Sequence, residues 1–488
     1  MPIPKLSPAP GESYDASQKP PSFGHPLKQY FALDDDYVNL NHGSYGSLPL
    51  PVLYAVNKWN YEIERNPDLF HRLTYRPLLV KAREAVAKLI GANTDEVVLV
   101  PNATHALNVV LRNFEWREGD IIIGASTTYG AVANTIRYLA DRSEQPRPIM
   151  LEVEYNFPLT HAQIIDLFRS KIREAKQQYP NTQFTDVPPL SVGSELNDEQ
   201  KKNKIVVVID AITANPGALM PWQEMCKIAR EEGVWTVIDA AHSIGQEPNI
   251  NLDKARPDFW LSNCHKWCYA KRGCAVLYVP KRNQYMIKSS IPTPHAYVSP
   301  SSPAFKETGT NFVAQHEWTG TMDQTPFITV PDAIAFREWL GGESAIYDYC
   351  HQLALNGGKK LAEVMGTKVL DEDGALTVTM VCPHDSKGPA SLSLIVLVTQ
   401  PNVQLPLPVE KTRGEVYTTQ QLNQINEFLR DKLLKDWKTY AAHYWHNGAW
   451  WVRCSAQVFN ELSDFEYLGK ALNAVCKEVE DTILKKNA

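Results

Sequence analysis

The sequence predicts an α/β protein: a mostly parallel seven-stranded sheet covered by helices, followed by a smaller α+β domain. Three observations carry that prediction. Val- and Ile-rich runs such as E-V-V-L-V (96–100) and I-V-V-V-I-D-A (205–211) are continuous rather than alternating, as strands buried on both faces are. Segments with apolar residues at helical spacing separate these runs. From about residue 331 the strands shorten and mix with helices at lower density.

Taken in chain order, residues 1–27 are rich in Pro, Ser and Gly and lack periodicity. They read as an unstructured segment or an arm lying on a neighbour. Residues 28–52 are expected to form an N-terminal arm and a substrate-pocket loop. Amphipathic helices follow at 53–66 and 78–92, the second stopped by Gly91. Strands are expected at 96–100, 120–125, 149–153, 205–211, 234–240, 259–263 and 274–279. Helices are expected at 104–114, 131–143, 162–177 and 221–232. Residues 178–204 and 292–311 carry V-P-P-L-S and S-P-S-S-P and read as loop insertions in a large domain spanning 53–330. The small domain, 331–488, is expected to hold helices at 331–341, 343–364 and 463–484, with strands at 375–382, 392–399, 438–444 and 449–455.

A chain of 488 residues can bury a large core and suggests about two to three domains. Hydrophobic content is 44%, charged content 21% and net charge -6, ordinary for a soluble protein. No basic patch marks a nucleic-acid or membrane-surface partner. No apolar run reaches the roughly 18 residues a membrane span needs. The start M-P-I-P-K-L-S-P-A-P-G-E-S lacks the apolar core of a signal peptide, so a cytoplasmic location is expected. The 8 Cys form no C-x-x-C pair; free thiols, and no metal site, are expected.

The chemistry concentrates in V-I-D-A-A-H (237–242) and N-C-H-K-W (263–267). Lys266, just past a strand, can form a Schiff base with the aldehyde of pyridoxal phosphate. Asp239, ending a neighbouring strand, can keep the pyridine nitrogen protonated so that the ring draws electrons from the substrate. V-P-N-A-T-H-A-L-N (100–108) is a strand end, a small-residue turn and a helix start, which suits a phosphate. There Ala103 admits close backbone approach and Thr104 adds a hydroxyl; an ordinary Thr N-cap explains the turn equally well. Tyr129 can stack on a flat ring, or be simple half-buried surface. His242 can donate to the cofactor's phenolic oxygen, and His265 can reach its phosphate. Arg453, in W-W-V-R-C-S, offers a fork for a carboxylate, or pairs with one of the 55 acidic residues.

Together these segments resemble the class V, cysteine desulfurase-like aminotransferase superfamily of fold type I, and within it the isopenicillin N epimerase-like branch that includes fungal ergothioneine-pathway C–S lyases. The resemblance covers roughly 35–485. It rests on N-L-N-H-G-S-Y-G (39–46), N-P-D-L-F (66–70), V-P-N-A-T-H-A-L-N-V-V-L-R (100–112), I-T-A-N-P-G (212–217), E-W-T-G-T-M-D (317–323) and V-R-C-S-A-Q-V-F-N (452–460), besides the two central motifs. It implies Lys266 as Schiff-base lysine, Asp239 as pyridinium partner, His242 on the phenolic oxygen and Tyr129 on the ring. Ala103, Thr104, Asn263 and His265 are implied to hold the phosphate, with His105 a further cofactor contact. Thr321 is implied to reach the phosphate of a neighbouring subunit, which makes a homodimer the expected unit. Asn41, His42, Tyr45 and Arg453 are implied to line the amino-acid side. Ala214 stands where many relatives carry Ser or Thr; Thr213 is the candidate to replace that hydroxyl.

The family's desulfurases need a nucleophilic Cys on a mobile loop. No Cys lies between 275 and 349 and Cys350 falls in an expected helix, which argues against sulfur transfer. The preferred reaction is β-elimination from a cysteine S-conjugate or sulfoxide, with Lys266 taking the Cα proton and pyruvate and ammonia released. The resemblance implies hercynylcysteine sulfoxide as substrate. The rival is an epimerase, which needs a second base facing Lys266; His42 or Tyr45 could serve. A transaminase and a non-catalytic relative are weaker readings, the latter disfavoured by intact Lys266 and Asp239.

Overall fold

The computed structural model describes residues 8–179, 182, 184, 202–294, 296–371, 400–409 and 417–485. Its main sheet holds β2 (Val97–Val100), β3 (Ile121–Ala125), β4 (Ile149–Val153), β5 (Ile205–Asp210), β6 (Trp235–Asp239), β7 (Phe259–Ser262) and β8 (Ala275–Tyr278), in the order β2-β8-β7-β6-β5-β3-β4. Each lies within a residue of its expected bounds. Adjacent strands run parallel from β7 through β4, whereas β8 is antiparallel to both β7 and β2.

Alternate residues of each strand feed two separate cores. Val97, Leu99, Ile121, Ile123, Val207 and Ile209 pack beneath α2 (Tyr75–Ile90), α5 (His161–Gln178) and α6 (Trp222–Glu231). Val98, Val100, Ile122, Val206, Val208 and Val237 pack on α3 (Ala103–Asn113) and α4 (Gly130–Ala140). Continuous apolar runs are what two buried faces require. At about 1.5–3 kcal/mol per fully buried Val, Leu or Ile, these two layers dominate the sheet's stabilisation.

The small domain joins α8 (Gly342–Met365), α9 (Thr419–Lys435) and α10 (Leu462–Val479) to an antiparallel sheet, β11 (Ala442–His446), β12 (Ala449–Arg453) and β9 (Asn402–Gln404). The expected strand 438–444 divides into β10 (Thr439–Tyr440) and β11. β10 pairs in parallel with β1 (Val38–Asn39), so the N-terminal arm enters the small domain. α9 was not anticipated, although Thr418 and Gln421 form a capping box at its start. The helix expected at 331–341, α7 (Val330–Trp339), packs on α2 and α1 (Leu50–Arg65) of the large domain. Strands expected at 375–382 and 392–399 lie outside the described residues.

Residues 8–27 depart from the unstructured expectation. Tyr14 sits 4.6 Å from the Trp339 ring, and the Trp339 indole donates to Gln18 O at 2.9 Å. Gly24 N donates to Val458 O at 2.7 Å, and Leu27 is fully buried. Low periodicity misled because these contacts come from an isolated aromatic, single backbone bonds and one short 3-10 helix, His25–Tyr30, rather than from a long periodic element.

Candidate active site

Parallel strands bring their C-terminal ends to one edge, where open α/β sheets form their sites. Asp210 ends β5, Asp239 ends β6, Asn263 follows β7 and Ala103 starts the helix after β2. His242 is buried in the turn after β6, and part-buried Lys266 lies in the turn after β7. The two turns touch: Lys266 Nζ is 3.0 Å from His242 Nε2.

Trp267 determines which way this contact runs. Its indole N–H can only donate, and it faces His242 Nδ1 at 3.3 Å. Nδ1 must therefore accept, which places the ring proton on Nε2. Nε2–H can then donate to Lys266 when its amine is in the neutral form. Burial and the neighbouring Arg453 cation draw Lys266 down from 10.5 to about 8, partly opposed by Asp239. Burial, with the Lys266 and Arg453 charges, holds His242 well below the usual histidine range. A buried neutral amine is the form that attacks an aldehyde.

Asp239 is buried and accepts Ala241 N–H on Oδ1 at 3.0 Å. In register beside it stands buried Asp210, which accepts the Thr128 hydroxyl at 3.2 Å. Burial raises both carboxyls, and Asp239 raises Asp210 further. Two buried carboxyls in register disfavour both being ionised at once, and a cation between them relieves that. A protonated pyridine nitrogen is such a cation.

The segments expected to hold a phosphate meet at this edge. Asn102 caps α3 by accepting His105 N–H at 2.8 Å, and Asn263 Oδ1 accepts Ala103 N–H at 2.9 Å. The first-turn N–H of Thr104 has no intrahelical acceptor and is available to an anion. His265 Nδ1 donates to Cys274 O at 2.9 Å, and burial lowers the ring to about 4, so Nε2 keeps a lone pair and offers a phosphate no N–H; the structure does not support the phosphate role expected of His265. His105 is half-buried, and burial lowers it. Tyr129, the residue preceding α4, is 54% exposed, so its ring has a face open for stacking. Thr321 is exposed in the turn after Gly320. These residues fit a phosphorylated aromatic aldehyde: an amine nucleophile, an acid for a ring nitrogen, and a free N–H at Thr104.

Thr213 does not fit its expected role. It is fully buried and its hydroxyl donates to Pro216 O while accepting Ala218 N–H at 3.1 Å. The side chain closes its own turn instead of facing the site.

On the substrate side, buried Arg453 donates through Nη1 to Ala214 O at 2.6 Å and through Nη2 to Ser44 Oγ at 3.2 Å. Ser44 Oγ in turn donates to Asn41 Oδ1 at 2.8 Å. Arg453 Nε has no partner, and no carboxylate among the described residues pairs with the guanidinium. The internal ion pair that the sequence left open is thus absent among them. A buried uncompensated cation, drawn down to about 10 by that burial, calls for an anionic guest.

His42 and Tyr45 do not form a second base. His42 Nδ1 accepts Ser47 N–H at 3.2 Å, which occupies one lone pair and puts the proton on Nε2. Burial pushes His42 down to about 3, with Arg337 and Arg272 adding to the effect. It packs against Trp267 at 5.2 Å as a neutral core ring. Tyr45 is 70% exposed. Trp267, Ser44 and Asn402 were not anticipated. Trp267 and Ser44 left a signal, one beside Lys266 and the other inside N-L-N-H-G-S-Y-G. Cys350 is buried in α8 with its thiol raised to about 12, and each of the seven described cysteines is buried; Cys382 lies outside the described residues. No described group of His, Cys, Asp and Glu could hold a metal ion, and no described helix is long and apolar enough to cross a membrane.

Comparison with known proteins points the same way. The family described as aminotransferase class-V matches residues 190–396, and aminotransferase class I and II matches 35–255. An L-cysteine desulfhydrase-like protein of Epichloe uncinata is 31% identical, covering 94% of this chain and 96% of its own. The hercynylcysteine sulfoxide lyase of Schizosaccharomyces pombe is 29% identical, covering 93% and 98%. The fold matches that of a cystine C–S lyase bound to its product cysteine persulfide, with a TM-score of 0.64 over 90% of this chain and 98% of that one, at 14% identity.

Proposed function

The chain belongs to the aminotransferase class-V family, and from that premise we propose that it is a pyridoxal phosphate-dependent C–S lyase acting on a cysteine-derived substrate. One observation carries the choice of reaction: the site offers one amine drawn well below its ordinary range, Lys266, and no second base in His42 or Tyr45. Epimerisation needs proton traffic on both faces of Cα. Elimination needs one base.

The Thr104 N–H and hydroxyl and the Asn263 side-chain amide would hold the cofactor phosphate, with Ala103 small enough to admit it, Tyr129 its ring face, Asp239 its ring nitrogen, His242 its phenolic oxygen and Lys266 its aldehyde carbon. When bound, the cofactor supplies a ring that takes up the electron pair released at Cα. Arg453 binds the substrate carboxylate and, with Ser44 and Asn41, orients Cα over Lys266. Lys266 then takes the Cα proton. The Cβ–S bond breaks and its electron pair leaves with sulfur, as a thiolate from a thioether or a sulfenate from a sulfoxide. Aminoacrylate remains and hydrolyses to pyruvate and ammonia. The name of the yeast relative makes a sulfoxide of a cysteine conjugate the first substrate to try. The expected unit is a cytoplasmic homodimer, Thr321 being exposed and available to a neighbour's phosphate.

The test is incubation of the loaded enzyme with a panel of cysteine S-conjugates and their sulfoxides. Pyruvate and sulfur fragment in equal amounts are expected, with loss of both in Lys266→Ala. An intact carbon skeleton with scrambled Cα stereochemistry would overturn the lyase reading in favour of the epimerase.

A further inference from the structure

Arg337 lies on α7, outside every motif above and distant in sequence from Lys266 and His242, yet it is 1% exposed and reaches the backbone of their turns. Its Nη1 donates to Trp267 O at 2.7 Å, and its Nη2 donates to Gly245 O at 2.9 Å. Nε and Nη2 also donate to Glu343, the latter at 2.7 Å. Four of the five N–H groups of a guanidinium are thus committed. Trp267 adjoins Lys266 and Gly245 lies three residues past His242, so one side chain ties together the turns carrying both.

Two further features show that this junction is over-determined. Tyr269 holds φ 65°, a left-handed conformation that costs a non-Gly residue roughly 1–3 kcal/mol. The Arg337 guanidinium lies 4.9 Å over its ring, and its hydroxyl donates to Gln457 at 2.6 Å. Gly245 (φ 82°) has no space for a side chain, because a Cβ there would stand 2.5 Å from the Trp267 carbonyl carbon. The turns meet backbone to backbone, and the arginine fork clamps the contact.

We infer that Arg337 is a positioning residue for the reaction: by holding Trp267 it keeps the indole N–H on His242 and so fixes the Lys266–His242 contact. The inference rests on the reading of Lys266 as the cofactor lysine. A plain structural role would predict lost stability and nothing else. The positioning role predicts that the Lys266 amine changes character when the fork is lost.

The experiment uses full-length enzyme loaded with pyridoxal phosphate. Its readouts are the pH midpoint of the visible band of the lysine-bound cofactor, kcat and KM, and melting temperature. Arg337→Lys keeps the charge but not the fork. It is expected to move the midpoint by half a pH unit or more and to lower kcat at least tenfold with KM within twofold. Trp267→Phe removes one N–H and should move both in the same direction. The double variant should be no worse than the worse single, as two steps of one path require. Should Arg337→Lys fail to fold, Glu343→Gln keeps the arginine, loosens its anchor and should give a smaller shift of the same sign. A lowered melting temperature with unchanged midpoint and kcat, or additive effects in the double variant, would overturn the inference. Absence of any visible band in the unaltered enzyme would instead refute the cofactor reading.

Discussion

Lys266 has an amine whose charge is decided by what surrounds it. Burial and Arg453 lower it to about 8, and Asp239 acts in the opposite sense. The sign of the pH effect follows. Below about 8 the folded chain holds Lys266 protonated and unable to attack an aldehyde; above it the amine is free. Capture of pyridoxal phosphate by the apoprotein should therefore quicken with pH, with a midpoint near 8 in stopped-flow absorbance. In Arg453→Met the midpoint should rise, since a depressing cation is gone. A midpoint near 10.5 in the unaltered chain would contradict the geometry. At this scale the sequence was most legible where function sits in contiguous motifs: Lys266, Asp239 and His242 could be read because each belongs to a short strand-end segment. Trp267 and Arg337 could not. They act through a ring tautomer and two backbone carbonyls; Trp267 stands in the N-C-H-K-W motif but nothing in the motif tells its role, and Arg337 is visible in neither residue type nor spacing. Thr213 misled for a related reason, since its hydroxyl satisfies its own turn.

Elements place these residues by meeting at one edge. The turn 213–217 after β5 illustrates how closely they fit. Asn402 on β9 accepts Gly217 N–H at 3.0 Å, returns a bond to Gly217 O at 3.1 Å and accepts the Tyr444 hydroxyl at 2.8 Å. Arg453 takes the carbonyl of Ala214 in the same turn, so the small domain grips the large one where substrate would bind. A Cβ at Gly217 would stand 2.8 Å from Gln400 Oε1 and 2.9 Å from Arg453 Cδ. Gly217→Ala should displace Arg453 and raise KM about tenfold, worth about 1.4 kcal/mol, while cofactor affinity by fluorescence titration stays unchanged. An equal loss in cofactor affinity would place the damage elsewhere. The main-sheet strands were legible because doubly buried strands must be continuously apolar. α9 escaped notice because only Ile425, Leu429 and Leu433 of its residues are buried, a thin stripe in a polar sequence.

Across the whole molecule, the two domains, the N-terminal segment and the catalytic turns share one set of supports. Tyr14 packs on Phe336 and Trp339 of α7, the helix that carries Arg337. Gly24 and His25 bind the start of α10 and the segment before it, His25 lying 3.0 Å from buried Asp464 in its first turn and its backbone N–H donating to Glu461 at 2.8 Å. Gln457, just upstream, holds the strained Tyr269. The N-terminal segment therefore braces both partners of the Lys266 turn from the far side. Removing residues 1–21 would uncover Trp339 and Phe336 and strip the acceptor from the Trp339 indole. Covering one such aromatic contributes about 1–2 kcal/mol. The truncated chain should melt several degrees lower by calorimetry. Because α7 also anchors Arg337, it should release pyridoxal phosphate faster on dilution, at least threefold by loss of the visible band. A detached arm would change neither quantity. A change in melting alone would mean that the segment steadies the fold without reaching the catalytic turns, and that the path from Tyr14 through α7 to Trp267 ends at Phe336.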